Sequence, residues 1–280
     1  MADYDQIAAL NFSTLKLVDT SPLLCKFRAK KPRKDTAALA LGRAIHVAAL
    51  EPDRWRRDFV VEPDFGPQQT KTGKVATNPK ATESYKLAHE AWLSDLGPGV
   101  SVLDAEEYEI VERCADALHS HRIAGPLLQG GRAEHVVQWT CRDTGVLCKA
   151  RLDYIPRCVV DIKSTRQETV RQFLNDSARL LYHVQASWYD WGGRESGTIA
   201  GDAELPYVIS VQTCEPHDVC CFKVPTETMD AGRAKMRELL TRYTQCQAAD
   251  YWPGLGADLL YLELPRWAVP HEESLDGDAW

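Results

Sequence analysis

The spacing of apolar residues divides the chain into helix-like and strand-like segments. Apolar positions three to four residues apart indicate amphipathic helices, whereas alternating apolar and polar positions indicate strands with one buried face. Helices are predicted over residues 12–28, 36–50, 80–95, 104–121, 168–191 and 226–248. Strands are predicted over residues 133–140, 146–155, 158–163, 205–213 and 218–224. Ser13 or Thr14 is expected to cap the first helix, and Asp104 or Ser101 the fourth.

The order of these elements indicates the fold class. Helices, a cluster of strands, a helix, two strands and a final helix predict an α/β fold in which helices flank a central mixed sheet. Because neither a linker nor an internal repeat is visible, residues 1–280 are expected to form one domain with flexible ends at 1–11 and 269–280. Residues 62–80 are rich in Gly, Pro, Thr and Lys and predict a long loop, a kind of segment that is often functional or mobile.

The overall charge argues against a protein that binds nucleic acid over its whole surface. The 280 residues carry a formal net charge of -7, and such binders are usually basic. Any contact with DNA is therefore expected to be local. One candidate is the stretch Lys26–Lys34, which holds six basic residues, although a solvated charged loop explains it equally well.

Nine cysteines in a chain of this size favour a reducing compartment over a secreted disulfide framework. The first residues lack the basic and then apolar pattern of a secretory signal, and no apolar run reaches the roughly 18 residues of a membrane span. A cytosolic protein is expected. Some nucleases hold an iron–sulfur cluster with one early and three late cysteines, as Cys25, Cys214, Cys220 and Cys221 would be. Because the late ones contain no C-x₂-C pair, buried thiols in a sheet are the preferred interpretation.

The segment Val159-Val-Asp-Ile-Lys163 carries the first candidate chemistry. Side chains alternate along a strand, so Asp161 and Lys163 share one face while Val160 and Ile162 share the other. An acid and a base on one side of an apolar strand must meet partners, metal or water, because burying either charge alone costs several kcal/mol.

The preceding strand adds a second carboxylate. Cys148–Tyr154 alternates as well, with Lys149, Arg151 and Asp153 on one face, and a tight turn at Pro156-Arg157 would join it to the next strand. If the turn centres on Arg157, Asp153 lies directly opposite Asp161, with Cβ atoms about 4.5–5.5 Å apart. Two facing carboxylates repel each other, and a divalent cation between them would offset that repulsion.

Glu134 is expected to supply a third carboxylate from the neighbouring strand, on the face it shares with Val136 and Gln138. Oxygen ligands at this density suit Mg²⁺ or Mn²⁺. Lys163 would then orient or help deprotonate a metal-bound water and neutralise charge that develops on phosphate, which indicates phosphodiester hydrolysis. The simpler alternative is a hairpin with surface charges and a cross-strand salt bridge.

Six separate pieces of sequence, in this order, resemble the PD-(D/E)xK nuclease superfamily, and within it the RecE (exonuclease VIII) type of phages and prophages. They are Gly42-Arg-Ala-Ile-His46, Glu134, Gly145–Ile155, Asp161-Ile-Lys163, Tyr182–Tyr189 and Leu264–Ala268. One departure is Leu152, which stands where the superfamily name has proline. The resemblance implies a restriction-endonuclease-like core over nearly the whole chain.

The resemblance also implies a metal site. Asp153, Asp161 and the backbone carbonyl of Ile162 would bind the metal, and His46 and Glu134 would complete its coordination. Gly42 would let its helix approach another backbone closely, with His46 one turn further on the same side. Taken without the resemblance, His46 is better interpreted as a core histidine bonded to a carbonyl.

A second set of residues is expected to contact DNA. Gln185 and Tyr189 lie one turn apart on a helix, and the resemblance implies that they contact the DNA backbone or hold the lysine of the D-x-K strand. On their own they would be the polar edge of an amphipathic helix. Thr70, Lys71 and Lys74 in the long loop are candidates for contact with phosphate, with a solvated loop as the alternative.

The function that the resemblance implies is a metal-dependent 5′→3′ exonuclease. It would act on double-stranded DNA ends and leave single strands for phage-type homologous recombination, with Mg²⁺ as cofactor and Mn²⁺ as a substitute. The implied partners are a single-strand annealing protein of the RecT type and further copies of the chain in a ring, in the cytoplasm of a bacterial or phage-infected cell. Two alternatives stay open: an endonuclease or repair nuclease with the same core, and a non-catalytic DNA-binding or assembly protein.

Overall fold

The computed structural model describes residues 4–29, 36–70, 72–256, 259, 261–264 and 268. The helices of this part are α1 (Phe12–Leu15), α2 (Leu17–Thr20), α3 (Pro22–Ala29), α4 (Ala37–Leu50), α5 (Pro52–Asp58), α6 (Glu83–Asp95), α7 (Ala105–Ser120), α8 (Ala124–Leu127), α9 (Val170–Arg179), α10 (Tyr182–Glu195) and α11 (Thr226–Ala249). The strands are β1 (Phe59–Val61), β2 (Ser101–Leu103), β3 (Arg132–Thr140), β4 (Leu147–Ile155), β5 (Val160–Thr165), β6 (Tyr207–Gln212) and β7 (Val219–Lys223).

A five-stranded mixed sheet in the order β3-β4-β5-β6-β7 forms the centre of the fold. The pair β5–β6 is parallel, and the other neighbouring pairs are antiparallel. β1 and β2 form a separate parallel pair. The α/β class with a central mixed sheet is therefore confirmed.

Helices cover both faces of the sheet, and each face has its own apolar core. On one side α4 and α7 pack on Val160, Ile162 and residues of β6. On the other side α10, α11 and the N-terminal helices pack on β3 and β4, around the fully buried Trp188. None of the described helices combines the length and the apolar composition that crossing a membrane requires.

Two predicted helices begin at a capping side chain, and the cap at Asp104 was predicted from the sequence. Thr36 accepts a hydrogen bond from the amide of Leu39 at the start of α4. Asp104 caps α7 in a reciprocal capping box with Glu107, an arrangement that satisfies two unpaired amides at once. Ser101, the alternative cap, lies in β2 instead.

Two other predicted helices are interrupted. The segment 12–28 is divided into α1, α2 and α3, and Asn11 caps α1 rather than Ser13 or Thr14. The segment 168–191 is divided into α9 and α10 because Leu181 adopts a left-handed conformation with φ 61°. Since an L-residue rarely adopts this conformation, no local sequence signal marks the break.

The alternation of faces is broken at the sites of Glu134 and Asp153. Val137 of β3 and Leu152 of β4 belong to the core under α10, whereas Ala133 and Tyr154 contact the core under α4 and α7. Glu134 has φ 48°, which interrupts the regular β backbone at this point. The predicted faces Glu134–Gln138 and Lys149–Asp153 assumed regular β backbone throughout, and this regularity ends at Glu134 and Asp153.

Candidate metal centre

The candidate site lies where β4 and β5 separate. Their pairing is limited to Tyr154 opposite Val160, which is the register predicted from a turn centred on Arg157. One position further along, Asp153 enters the space between the strands, where its Oδ2 accepts a hydrogen bond of 3.1 Å from the amide of Ile162. A carboxylate thus replaces a backbone partner at this point of the sheet.

Glu134 lies beside Asp153 on the next strand. The register of β3 and β4 pairs Ala133 with Tyr154 and His135 with Leu152, so Glu134 and Asp153 occupy the position between two regular pairs. The left-handed backbone at Glu134 costs an L-residue about 1–2 kcal/mol. Such strain is retained mainly where the surrounding structure fixes it, often at functional sites. Glu134 also forms an ion pair of 2.9 Å with the Nε atom of Arg151.

His46 reaches the same point from α4. Its Nε2 atom lies 3.0 Å from the carbonyl oxygen of Ile162, and its Nδ1 atom lies 3.5 Å from Oδ2 of Asp153. Among the residues that the structure describes, His46, Glu134 and Asp153 are the one group with metal-ligating atoms all within 4.8 Å of one another. The cysteines considered for an iron–sulfur cluster form no such group.

Asp161 is a buried carboxylate with one oxygen that lacks a hydrogen-bond partner among the described residues. Its side chain is buried, and among the described contacts its Oδ1 atom has no hydrogen-bond partner. Burial raises the pKa of this carboxyl to about 6, with Lys163 opposing and Asp153 adding to the shift. A buried oxygen without a partner is costly, so these donors fit a hard divalent cation, which would supply the missing positive charge.

Lys163 completes the charged cluster. Its Nζ atom lies 2.5 Å from Oδ2 of Asp161 and 4.9 Å from the centre of the Tyr182 ring. Burial lowers the pKa of the ammonium, but Asp161 and Asp153 outweigh burial, so that the net pKa is raised. The ammonium of Lys163 is therefore expected to stay protonated beside the two carboxylates.

Comparison with known proteins assigns the chain to a family. Residues 12–263 match the family described as a PDDEXK-like domain of unknown function (DUF3799). The chain belongs to this family. The match covers most of the chain, and it confirms the resemblance to the PD-(D/E)xK superfamily without selecting the RecE type.

A solved structure has the same architecture. It is the crystal structure of a protein from Eubacterium rectale that has been provisionally named an exonuclease, with a TM-score of 0.55 and 12% sequence identity. The similarity covers 92% of this chain and 90% of that chain. At this identity the comparison shows a common fold and nothing finer. No curated protein matches the sequence significantly.

Gln185 and Tyr189 of this PDDEXK-like domain contact each other beside the carboxylates. The Nε2 atom of Gln185 donates a hydrogen bond of 2.8 Å to the hydroxyl of Tyr189. Burial, followed by Asp153 and Asp161, raises the pKa of Tyr189 well above its usual value. The hydroxyl therefore stays neutral and can donate a hydrogen bond near the candidate metal ligands. Contact with DNA stays a prediction for both residues.

The other predicted DNA contacts have no described contact with this cluster or lie outside the described residues. Lys74 is exposed in a small turn, in which the amide of Thr70 donates to the Lys74 carbonyl at 2.8 Å. Lys71, the basic residues 30–34 and residues 265–267 lie outside the described part. Lys26 pairs with Asp250 at 2.7 Å. A role in DNA binding stays a prediction for Lys71 and Lys74.

Three residues of the site were not predicted from the sequence. Tyr182 holds its ring next to Lys163, and a signal for it existed, because Tyr182, Gln185 and Tyr189 have the spacing of one helix face. Arg151 pairs with Glu134, although the sequence indicated only that Arg151 shares a strand face with Asp153. Tyr4 contacts Arg151 from the N-terminal segment, and no local pattern indicates that contact.

Proposed function

We propose that this protein is a divalent-metal-dependent deoxyribonuclease that hydrolyses phosphodiester bonds. The observation that carries the proposal is the separation of β4 and β5, where Asp153 accepts a hydrogen bond from the amide of Ile162 and the neighbouring Asp161 pairs with Lys163. The buried, unpartnered oxygen of Asp161 supports a cation as the missing partner. Membership of a PDDEXK-like family and the fold of the Eubacterium rectale protein support the same reaction class.

The residues available to a metal are Asp153, Asp161 and the carbonyl of Ile162, with His46 and Glu134 as further donors. Mg²⁺, or Mn²⁺ as a substitute, would supply Lewis acidity that lowers the pKa of water and offsets phosphate charge. The two carboxylates and the Ile162 carbonyl would hold the cation in place.

Lys163 has a separate role from the ligands. Its raised pKa keeps the ammonium charged, so it would stabilise negative charge that grows on the phosphate in the transition state. Tyr189, neutral and bonded to Gln185, would donate a hydrogen bond beside the same phosphate or keep Lys163 oriented. The aromatic ring of Tyr182 limits the positions that the ammonium can take.

The finer form of the proposal is a 5′→3′ exonuclease of the RecE type on double-stranded DNA ends. It rests on the ordered motifs of the sequence and on the provisional name of the structural neighbour. The product single strand would pass to an annealing protein of the RecT type, and a ring of identical chains would encircle the DNA. All nine cysteines are free thiols, which suits the cytoplasm of a bacterial or phage-infected cell.

The test compares linear duplex DNA, labelled at either the 5′ or the 3′ end, with closed circular DNA in Mg²⁺, Mn²⁺ or EDTA. An exonuclease releases soluble nucleotides from the linear duplex alone, and early release of the 5′ label indicates 5′→3′ polarity. Cleavage of the circle would identify an endonuclease. DNA binding without hydrolysis in either metal would identify a non-catalytic protein and would contradict the proposal.

Matched variants test the assigned residues. Asp161→Asn should lower kcat by roughly 10³-fold, since a bound metal supplies several kcal/mol of transition-state stabilisation. Lys163→Met should lower kcat by about 10²–10³-fold, the usual effect of losing one positioned charge or donor. Asp53→Asn and Lys86→Met change exposed residues of α5 and α6 and should leave kcat unchanged. Normal digestion by Asp161→Asn would show that the assignment is wrong.

A further inference from the structure

The N-terminal segment, residues 4–11, contacts the strand that carries Asp153. Leu10 pairs with Cys148 of β4, with hydrogen bonds of 2.9 Å from the Leu10 amide to the Leu147 carbonyl and 2.8 Å from the Lys149 amide to the Leu10 carbonyl. β5 does not pair with β4 in this region, since their pairing is limited to Tyr154 and Val160. The segment therefore occupies part of the β4 edge that β5 leaves.

Lys149 fixes the start of this segment. Its side chain is buried, and its Nζ atom donates hydrogen bonds of 2.7 Å to the carbonyl of Tyr4 and 2.9 Å to that of Ile7. A buried ammonium requires such acceptors, because its desolvation would otherwise be costly. Lys149 thus holds the backbone of the 3-10 turn Tyr4–Gln6 against β4. Lys149 lies two residues before Arg151 on this strand.

The side chain of Tyr4 continues this contact towards the metal centre. Its ring centre lies 4.3 Å from Nζ of Lys149 and 5.3 Å from Cζ of Arg151, both within the range of cation–π contacts. Arg151 in turn pairs with Glu134 at 2.9 Å. Glu134 is one of the three residues with metal-ligating atoms within 4.8 Å of one another.

Glu134 needs such support for a physical reason. Its carboxylate is carried by three rotatable bonds on a backbone with φ 48°, so its position is not fixed by regular strand geometry. The planar guanidinium of Arg151 can orient a carboxylate, but its side chain is 46% exposed and long. The Tyr4 ring restricts the guanidinium on one side.

We infer that Tyr4 is a positioning residue of the metal centre, which fixes Arg151 and through it the carboxylate of Glu134. The N-terminal turn is then a part of the active site rather than a flexible end. This inference rests on the proposed function, because it assigns Glu134 to a bound divalent cation.

The test measures Mn²⁺ binding to the full chain by isothermal titration calorimetry, without DNA. Tyr4→Ala should weaken binding by about 10-fold or more, the usual effect of losing a residue that orients a ligand. Tyr4→Phe keeps the ring and should bind Mn²⁺ like the wild type. Tyr251→Ala removes a tyrosine that is 62% exposed and is the matched control.

A double variant separates positioning from a general structural effect. In a Glu134→Gln background, Tyr4→Ala should cause no further loss of Mn²⁺ affinity, because the carboxylate through which it acts is absent. The nuclease assay should show that excess Mn²⁺ restores kcat to Tyr4→Ala, with an unchanged KM for DNA. If Tyr4→Ala does not fold, Arg151→Lys serves instead, since it keeps the charge and loses the planar fork.

The outcomes distinguish this inference from the proposed function. Wild-type protein that binds Mn²⁺ and cleaves DNA, together with unchanged affinity in Tyr4→Ala, would overturn the role of Tyr4 alone. The same holds if Tyr4→Phe is as weak as Tyr4→Ala, or if the loss persists in Glu134→Gln. Wild-type protein that neither binds Mn²⁺ nor cleaves DNA would overturn both.

Discussion

The carboxylate of Asp153 accepts a hydrogen bond of 3.1 Å from the backbone amide of Ile162, between two strands that have begun to separate. This contact joins one candidate ligand to the strand that carries the other, Asp161. It also leaves the Ile162 carbonyl to face His46 at 3.0 Å. The arrangement of this short segment leads to four predictions about the charge, packing and backbone of the site.

The first prediction concerns Asp161 and pH. Burial raises its pKa from 3.8 to about 6, so the folded state holds the proton more tightly than the unfolded chain. The Asp161 contribution to stability is therefore greatest at low pH and falls as the pH rises through this window. In EDTA, the Tm of the wild type, measured by calorimetry, should fall relative to that of Asp161→Asn as the pH rises from 3.8 to about 6.

The stabilisation that a divalent metal gives should have the opposite pH dependence. Divalent cations bind the ionised carboxylate, so the gain in Tm caused by Mg²⁺ should increase over the same window. Asp53→Asn is the matched control for an exposed carboxylate. A difference in Tm between wild type and Asp161→Asn that does not change with pH would contradict the assigned burial.

The second prediction concerns the ring of Tyr182 next to Lys163. Tyr182→Phe should keep kcat close to the wild-type value, because the aromatic face remains. Tyr182→Leu removes a cation–π contact of about 0.5–2 kcal/mol and should lower kcat by about 2- to 30-fold. Tyr207→Leu breaks a similar pair with Lys223 and should not change kcat. Equal kcat values for the Phe and Leu variants would rule out the contact.

The third prediction concerns the close approach of α4 to β5. A Cβ atom at Gly42 would lie 3.0 Å from Oγ of Ser164, the one described atom within 4 Å of it outside its chain neighbours and the backbone of its own helix. Gly→Ala in a helix usually adds about 0.5–1 kcal/mol of stability, but here the contact opposes this gain. Gly42→Ala should therefore give the full gain in the Ser164→Ala background and a smaller gain, or a loss, in the wild type. Urea unfolding of the four proteins measures both effects, and equal gains would contradict the contact.

The fourth prediction concerns the backbone of Glu134. Glycine adopts a left-handed conformation readily, whereas alanine pays about 1–2 kcal/mol. Glu134→Gly should therefore be more stable than Glu134→Ala by about 1 kcal/mol, the reverse of the usual order in a strand. Ala133→Gly, at the neighbouring position without positive φ, should instead lower stability. A more stable Glu134→Ala would show that the strand is regular at this point.

The sequence by itself determined the features that depend on local geometry. A short connection fixes the register of an antiparallel pair, so the turn near Arg157 was enough to predict Tyr154 opposite Val160. Caps act within one helical turn, so Asp104 was predictable as the cap of α7, and the helix predicted over 36–50 agrees with α4. Asp161 and Lys163 share a face because strand side chains alternate.

Tertiary structure alone decided the features that join distant segments or depart from regular backbone. Glu134 and Leu181 adopt left-handed conformations without a glycine to indicate them, since packing around them provides the energy. Tyr4 reaches Arg151, and His46 reaches Ile162, across more than a hundred residues. No periodicity encodes such contacts, because they depend on how separate elements pack. Asp153, Asp161 and Lys163 could be predicted from the pattern of the strands, whereas the side chains that hold them in place could be identified only from the fold.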